Sequence, residues 1–215
     1  MSNSPTAAEW NQTLEAIKKS RKTLLFIVSG PTGSGKTTIC DRLLEAFPEK
    51  LVRIVTATTR PPREGEENGR DYHFFEPTEF ERKVQAGDFY EYATVHGRSY
   101  GVLKEEVDSK LRSERHALLN IDVQGAESFR QAAKEDPLLA SRLVSLFLML
   151  PGLDVIKERL ESRGGPIADL DDRLISAGRE MEQWQHYDYT IISATKEDDF
   201  LAAASIFRAE CVRRR

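Results

Sequence analysis

The residues Gly30-Pro31-Thr32-Gly33-Ser34-Gly35-Lys36-Thr37 carry the clearest chemistry in the chain. They fit G-x-x-x-x-G-K-[ST] and follow an apolar run, Leu24 to Val28, that reads as a buried parallel strand. Glycines at these places let the backbone turn tightly with its N–H groups aimed inward, and the start of the next helix adds a partial positive charge. That combination cradles phosphates, so Gly30 through Thr38 are the candidate contacts of a nucleoside triphosphate. Lys36 is placed to reach the β- and γ-phosphates, and the Thr37 hydroxyl to hold Mg²⁺. The plainer reading, a glycine-rich turn with an exposed lysine, ignores the strand and helix on either side.

A second group lies in Thr58-Thr59-Arg60-Pro61-Pro62-Arg63-Glu64-Gly65-Glu66-Glu67-Asn68-Gly69-Arg70-Asp71-Tyr72, a turn-rich stretch with little apolar content. The planar fork of arginine suits phosphate oxygens bidentately, and the prolines limit the entropy lost on positioning Arg60 and Arg63. A solvated loop with surface ion pairs is the alternative. A third group, Arg159, Arg163 and Arg173 around Gly164-Gly165-Pro166, reads as arginine-bearing helices joined by a flexible hinge, a lid over about 156–173. Ordinary surface pairs four residues apart on a helix are the alternative there.

Short apolar runs that alternate with helical stretches must position these groups. They are Leu24 to Val28, Val52 to Val55, Tyr72 to Phe75, Phe89 to Val95, Ala117 to Ile121, Leu143 to Leu150 and Tyr189 to Ile192. The alternation predicts an α/β fold with a parallel core sheet and helices on both faces. Residues 1–22 are expected to form a helical extension, because Trp10, Leu14 and Ile17 recur at helical spacing within Ala7 to Arg21; that helix packs on the sheet or on a partner chain. Residues 23–215 then form one domain, with an insertion over about 56–102. Thr78 and Glu81 suggest a capping box opening a helix that Gly87 ends. Leu170, Leu174, Ala177, Met181 and Trp184 form a helical stripe expected to be core.

With 31 Lys plus Arg against 35 Asp plus Glu, the chain carries a formal charge of −4 and offers no general attraction for nucleic acid or anionic membrane. Met1 to Ala8 lacks the features of a secretory leader, and no apolar run approaches the roughly 20 residues that span a bilayer. A cytoplasmic protein with no membrane partner is expected. Cys40 and Cys211 predict free, partly buried thiols and no disulfide or metal framework.

The second group resembles the guanylate kinase family, whose pattern T-T-R-x-P-R-x-G-E-x-x-G-x-D-Y-x-F is met at every fixed position from Thr58 to Phe74. Further matches fall at Glu91, Tyr100-Gly101 and Ile121-Asp122-x-Gln124-Gly125, and the similarity runs from about Leu24 to Ile206. The resemblance implies a P-loop nucleoside monophosphate kinase fold with a small GMP-binding insertion and a lid, transferring the ATP γ-phosphoryl group to GMP with Mg²⁺. It further implies that Arg60, Arg63, Tyr72 and Tyr100 hold the GMP phosphate and that Thr56, Glu91 and Asp122 read guanine. Lys36, Arg159, Arg163 and Arg173 would stabilise the transferred phosphoryl group. Chemistry agrees with the carboxylates: guanine's N1–H and N2–H₂ donate to them, whereas adenine presents an acceptor at N1.

Some positions depart from the family. Thr56 stands for a usual serine but keeps the hydroxyl; Val102 stands where a hydroxyl donates to the guanine pocket, so Val102→Thr is expected to tighten GMP binding. Asn120 occupies a strand end that is often acidic, the lid is one residue short, and Ser193 replaces an asparagine that touches adenine. The alternatives are a kinase of phosphorylated sugars on the same fold, which needs no guanine readers, and a non-catalytic binding module, which has no use for an intact phosphate loop. Oligomeric state stays open, with a homodimer as one option.

Overall fold

Two sheets organise the computed structural model, which describes residues 11–12, 14–17, 22–95, 97–152, 154–156 and 170–213. The larger holds β1 (Leu25–Ser29), β2 (Leu51–Arg53), β7 (His116–Asn120), β8 (Leu143–Met149) and β9 (Tyr189–Ile192) in the order β2-β7-β1-β8-β9. All its neighbours pair in parallel, as expected from the apolar runs. Every residue of β1 is buried, because helices cover both sheet faces and a central parallel strand then has no polar side.

Alternation along β1 decides which helices lie where. Phe26 and Val28 point to the face where α1 (Lys36–Ala46) supplies Ile39, Cys40 and Leu43, and α7 (Lys196–Val212) supplies Ala203, Ala204 and Phe207. Leu25 and Ile27 point to the other, which is covered by Val107 and Leu111 of α3 (Lys104–Leu111) and by Val123, Ala126 and Phe129 of α4 (Val123–Glu135). Each such large apolar side chain stabilises the fold by roughly 1.5–3 kcal/mol relative to exposure. His116 joins the start of β7 to β1, its Nδ1 accepting the Leu24 N–H at 3.0 Å. Burial, helped by the charge of Lys50, pushes its pKa down, as suits an imidazole that must keep a lone pair for that bond. Both cysteines are free, Cys40 fully buried and Cys211 partly.

The smaller sheet has the order β4-β3-β6-β5, built from β3 (Ala57–Thr58), β4 (His73–Phe74), β5 (Phe89–Val95) and β6 (Arg98–Leu103). Its own small core stacks Phe80 on Phe89, with ring centroids 4.6 Å apart, over Ala57. Phe80 comes from α2 (Pro77–Gln85), and the expected capping box does not form there. Pro77, with its φ preset for a first helical position, starts the helix one residue before Thr78, so Thr78 falls inside the first turn; Glu81 instead accepts from Gln85 Nε2 at 3.2 Å. Gly87 does end the helix, at φ +73°.

Two further helices are α5 (Pro137–Ala140) and α6 (Leu170–Met181). Leu174, Ala177 and Met181 of α6 pack with Leu150 and Ile156, as the stripe predicts. Trp184 does not: a 3₁₀ turn, Glu182–His186, follows α6, its tighter winding carries Trp184 off the stripe, and 46% of it is exposed. Residues 11–12 and 14–17 are helical with Leu14 and Ile17 half exposed, while Trp10 and the rest of that stretch lie outside the described residues. Among the described residues no helix is long and apolar enough to cross a membrane.

Val102 corrects an expectation. It has no exposed surface and belongs to the core cluster of Ile54, Val107 and Leu119, so its side chain packs in the core. A threonine there buries a hydroxyl among apolar groups. We expect Val102→Thr to lose about 1–3 kcal/mol of stability in urea unfolding and to leave GMP affinity without the gain the sequence suggested.

Candidate active site

The phosphate loop leaves β1 at its carboxyl end, between β7 and β8, where ligands of open α/β sheets bind. Gly30 is required there by space as well as by φ (+146°): a Cβ would lie 2.5 Å from the Leu148 carbonyl oxygen. Gly35, left-handed at φ 103°, is the residue from which α1 starts, with no side-chain cap on the helix's first N–H groups. Those N–H groups and the helix dipole suit an anion. Lys36 Nζ donates to the carbonyls of Gly30 (2.7 Å) and Pro31 (3.0 Å), so the ammonium folds back over the loop.

Thr37, next along α1, has its Oγ1 accepting from Asn120 Nδ2 at 3.1 Å. Asn120 is the last residue of β7, and Asp122, just beyond, is the N-cap of α4. Asp122 Oδ1 accepts from Gly125 N at 2.8 Å, and a Cβ on Gly125 would sit 2.4 Å from Ile121 Cδ1, which accounts for glycine at that place. Asp122 Oδ2 has no hydrogen-bond partner among the described residues. One strand end thus fixes both the threonine of the phosphate loop and Asp122.

Glu91 reaches the same neighbourhood through an irregularity that its sequence hides. In β5, Phe89 pairs with Leu103 but Glu91 pairs with Val102, an extra residue on β5. Without it Glu91 would share the side of Phe89; with it, Glu91 lies across from Val102 on the main-core side. Burial first, and then the charge of Asp122, raise the Glu91 pKa to about 7. A cleft of about 900 Å³ opens beside Asp122, lined also by Ala93, Thr94, Gln124, Glu127 and Arg179.

The arginine loop is tied to the small sheet by its two threonines. Thr58 Oγ1 donates to the Ser99 carbonyl (3.0 Å) and accepts from Arg60 N (3.1 Å), while Thr59 Oγ1 accepts from Ser99 N (2.9 Å). Arg60 emerges from this anchor with its guanidinium 5.3 Å from the Tyr72 ring centre and 5.8 Å from that of Phe74. Tyr100, paired with Thr58, stands edge-on to Tyr72 at 6.4 Å. The structure therefore brings Arg60, Tyr72 and Tyr100 together, with Arg63 exposed at the rim and Thr56 half-buried on the approach to β3.

Sequence reasoning missed Glu66, which makes an ion pair with Arg60 and holds the Arg63 backbone N–H at 2.7 Å. Its signal was the fixed glutamate of the Gly65-Glu66 pattern. Ser193 is buried with its hydroxyl donating to Asp199 Oδ2 at 2.7 Å, so its oxygen serves the start of α7. Arg159 and Arg163, with the glycines between the arginines, lie outside the described residues; Arg173 lies within α6, its side chain outside them.

Comparison with known proteins agrees with this geometry. The guanylate kinase family model matches residues 21–210. A guanylate kinase of Novosphingobium aromaticivorans is 40% identical over 195 residues, covering 90% of this chain and 85% of that one. One from Maricaulis maris is 39% identical over 184 residues, covering 85% and 79%. The crystal structure of guanylate kinase from Anaplasma phagocytophilum superposes with a TM-score of 0.67 at 30% identity, covering 90% of this chain and 88% of that one. With an intact phosphate loop at the end of the parallel sheet, an anchored arginine on the smaller sheet beside it, and a family match over most of its length, the chain belongs to the guanylate kinase family.

Proposed function

We infer that this chain transfers the γ-phosphoryl group of ATP to GMP, giving ADP and GDP. The observation that carries the reading is the end of β7, where Asn120 donates to the phosphate-loop Thr37 and Asp122, two residues on, lies near enough to Glu91 of β5 to act on its charge, so that one strand end adjoins both the triphosphate cradle and the proposed guanine acceptors. In this reading Gly30 through Thr38 bind ATP; Arg60, Arg63, Tyr72 and Tyr100 hold the GMP phosphate; and Thr56, Glu91 and Asp122 read guanine. Arg159, Arg163 and Arg173 keep their proposed role at the transferred group on sequence alone.

The chemistry asks chiefly for in-line positioning and neutralised charge. Lys36 would leave the carbonyls of Gly30 and Pro31 for the β- and γ-phosphates, a short move because both partners belong to the loop that wraps them. A phosphate monoester has its second pKa near 6, so the acceptor oxygen is already ionised at neutral pH and needs no general base. Among the described residues no cluster of His, Cys, Asp or Glu could hold a metal by itself. That fits Mg²⁺ carried by substrate phosphates with one hydroxyl from the protein, Thr37. When bound, Mg²⁺ would neutralise charge on the phosphates, while the hydrogen bond from Asn120 fixes the position of the Thr37 oxygen.

An ADP-release assay with ATP and a panel of GMP, dGMP, AMP, UMP, CMP and phosphorylated sugars tests the reading; GMP is expected to have the largest kcat/KM, and turnover of a sugar phosphate in its place would overturn it. Lys36→Met should keep its circular dichroism spectrum and lose most of kcat. Arg60→Ala should raise KM for GMP and leave KM for ATP near its original value.

The raised pKa of Glu91 gives a pH dependence whose sign follows from the ligand. Guanine donors favour the carboxylate, so base binding expels the proton, and affinity falls as pH drops below about 7. Guanosine, which lacks the titrating phosphate, is the clean probe. Its affinity should drop between pH 7.5 and 6, by calorimetry, and Glu91→Gln should bind more weakly with that slope removed.

A further inference from the structure

Arg60 has a guanidinium with five N–H donors arranged in two edges that can each grip an oxyanion bidentately, one formed by Nη1 and Nη2 and the other by Nε and Nη2. Glu66 occupies the first: Nη1 donates to Oε2 at 2.8 Å and Nη2 to Oε1 at 2.9 Å. The second Nη1 hydrogen goes to the Pro61 carbonyl at 2.8 Å. The Nε–H and the remaining Nη2–H have no partner among the described residues. The ring faces of Tyr72 and Phe74 restrain the plane of the fork, and its side chain is only 14% exposed.

Glu66 is itself held. Arg63 N donates to Oε2 at 2.7 Å, and Glu66 N donates back to the Arg63 carbonyl at 3.0 Å, closing a turn through Gly65, whose φ is +84°. One carboxylate thus fixes the fork of Arg60 and the backbone of Arg63 together. Its contacts with both lower its own pKa to about 2, so it stays ionised throughout the neutral range.

We propose that Glu66 is the positioning residue of the acceptor-phosphate site, taking the Nη1/Nη2 edge of Arg60 so that the Nε/Nη2 edge is presented, already oriented, to the phosphate of GMP. The inference rests on the acceptor-site reading above and adds to it a residue that touches no substrate. A carboxylate beside an anion site would ordinarily be taken for a competitor that the phosphate must displace. The geometry argues otherwise, because the edge Glu66 uses is distinct from the one left over. Its repulsion of the incoming phosphate is outweighed by what an unheld arginine must give up, since both ends of a long side chain would have to be ordered on binding.

The test is calorimetric binding of GMP and of guanosine to the full chain and to Glu66→Gln, Glu66→Ala and Glu66→Asp, with thermal melting to verify folding. Glu66→Gln and Glu66→Ala should weaken GMP about tenfold and leave guanosine within about twofold, and Glu66→Asp should restore part of the loss because it keeps the charge. In an Arg60→Ala background, Glu66→Gln should cost nothing further. Tighter GMP binding in Glu66→Gln would make Glu66 a competitor and overturn the proposal. Unchanged GMP affinity, equal losses for GMP and guanosine, or a full loss in the Arg60→Ala background would overturn it too. If the unaltered chain binds neither ligand, the acceptor reading itself falls; if it binds both and Glu66 proves neutral, only this inference does.

Discussion

The parallel pairing of β1 with β7 on one edge and β8 on the other is the constraint on which the site depends. A strand buried on both faces and hydrogen-bonded on both edges leaves only its ends for polar chemistry. At the carboxyl end the chain must turn away while the Leu148 carbonyl presses against it, and only glycine fits there. The same turn delivers the start of α1, whose first N–H groups face the space just vacated. A place suited to an anion is therefore a consequence of how the core is stacked. The apolar alternation of β1 that builds the two clusters also holds the loop in place.

Charges brought to such a place need partners before any substrate arrives, since an unpaired buried charge costs several kcal/mol. The chain meets this need differently at each position. Lys36 takes carbonyls of its own loop, which are weak neutral acceptors and easily exchanged for phosphate oxygens. Arg60 takes a carboxylate and two aromatic faces, which are meant to stay. Asp122 takes the N–H of Gly125 and the dipole of α4. Glu91 is left with a pKa raised to about 7 by burial, so its charge is readily exchanged for a proton. The strength of each arrangement follows what each group is asked to do: release, hold, hold and exchange.

The sequence made the main sheet and the phosphate loop legible because each is encoded locally, the sheet by continuous apolar runs and the loop by glycines whose φ values no other residue adopts easily. The small sheet was harder. β3 is Ala57–Thr58 alone, and β6 opens with Arg98 and Ser99, so neither shows an apolar period; both exist because Thr58 and Thr59 bond to Ser99 across the chain. The bulge that turns Glu91 toward Asp122 leaves no mark on residue types. Val102 misled for a related reason: a family position was read as a pocket contact, while its burial is set by strand pairing with Glu91 and by α3 behind it. Trp184 misled because a helix changed its winding where its apolar spacing did not.

Glu91 and Asp122 differ in a way that bears on how bases are told apart. Asp122 is anchored by a helix start, where its Oδ1 accepts from the Gly125 N–H, and it retains one acceptor oxygen. Glu91 has no such donor among the described residues, and the cost of its charge is left for the ligand to meet. A ligand with N–H groups on its Watson–Crick edge meets it; adenine, with a bare N1, does not. Once protonated, however, the same carboxyl turns from acceptor into donor, and a donor in that position suits adenine N1. On the proposed reading, discrimination rests on the charge of Glu91, and the strand bulge that places Glu91 bears on how readily that charge is lost.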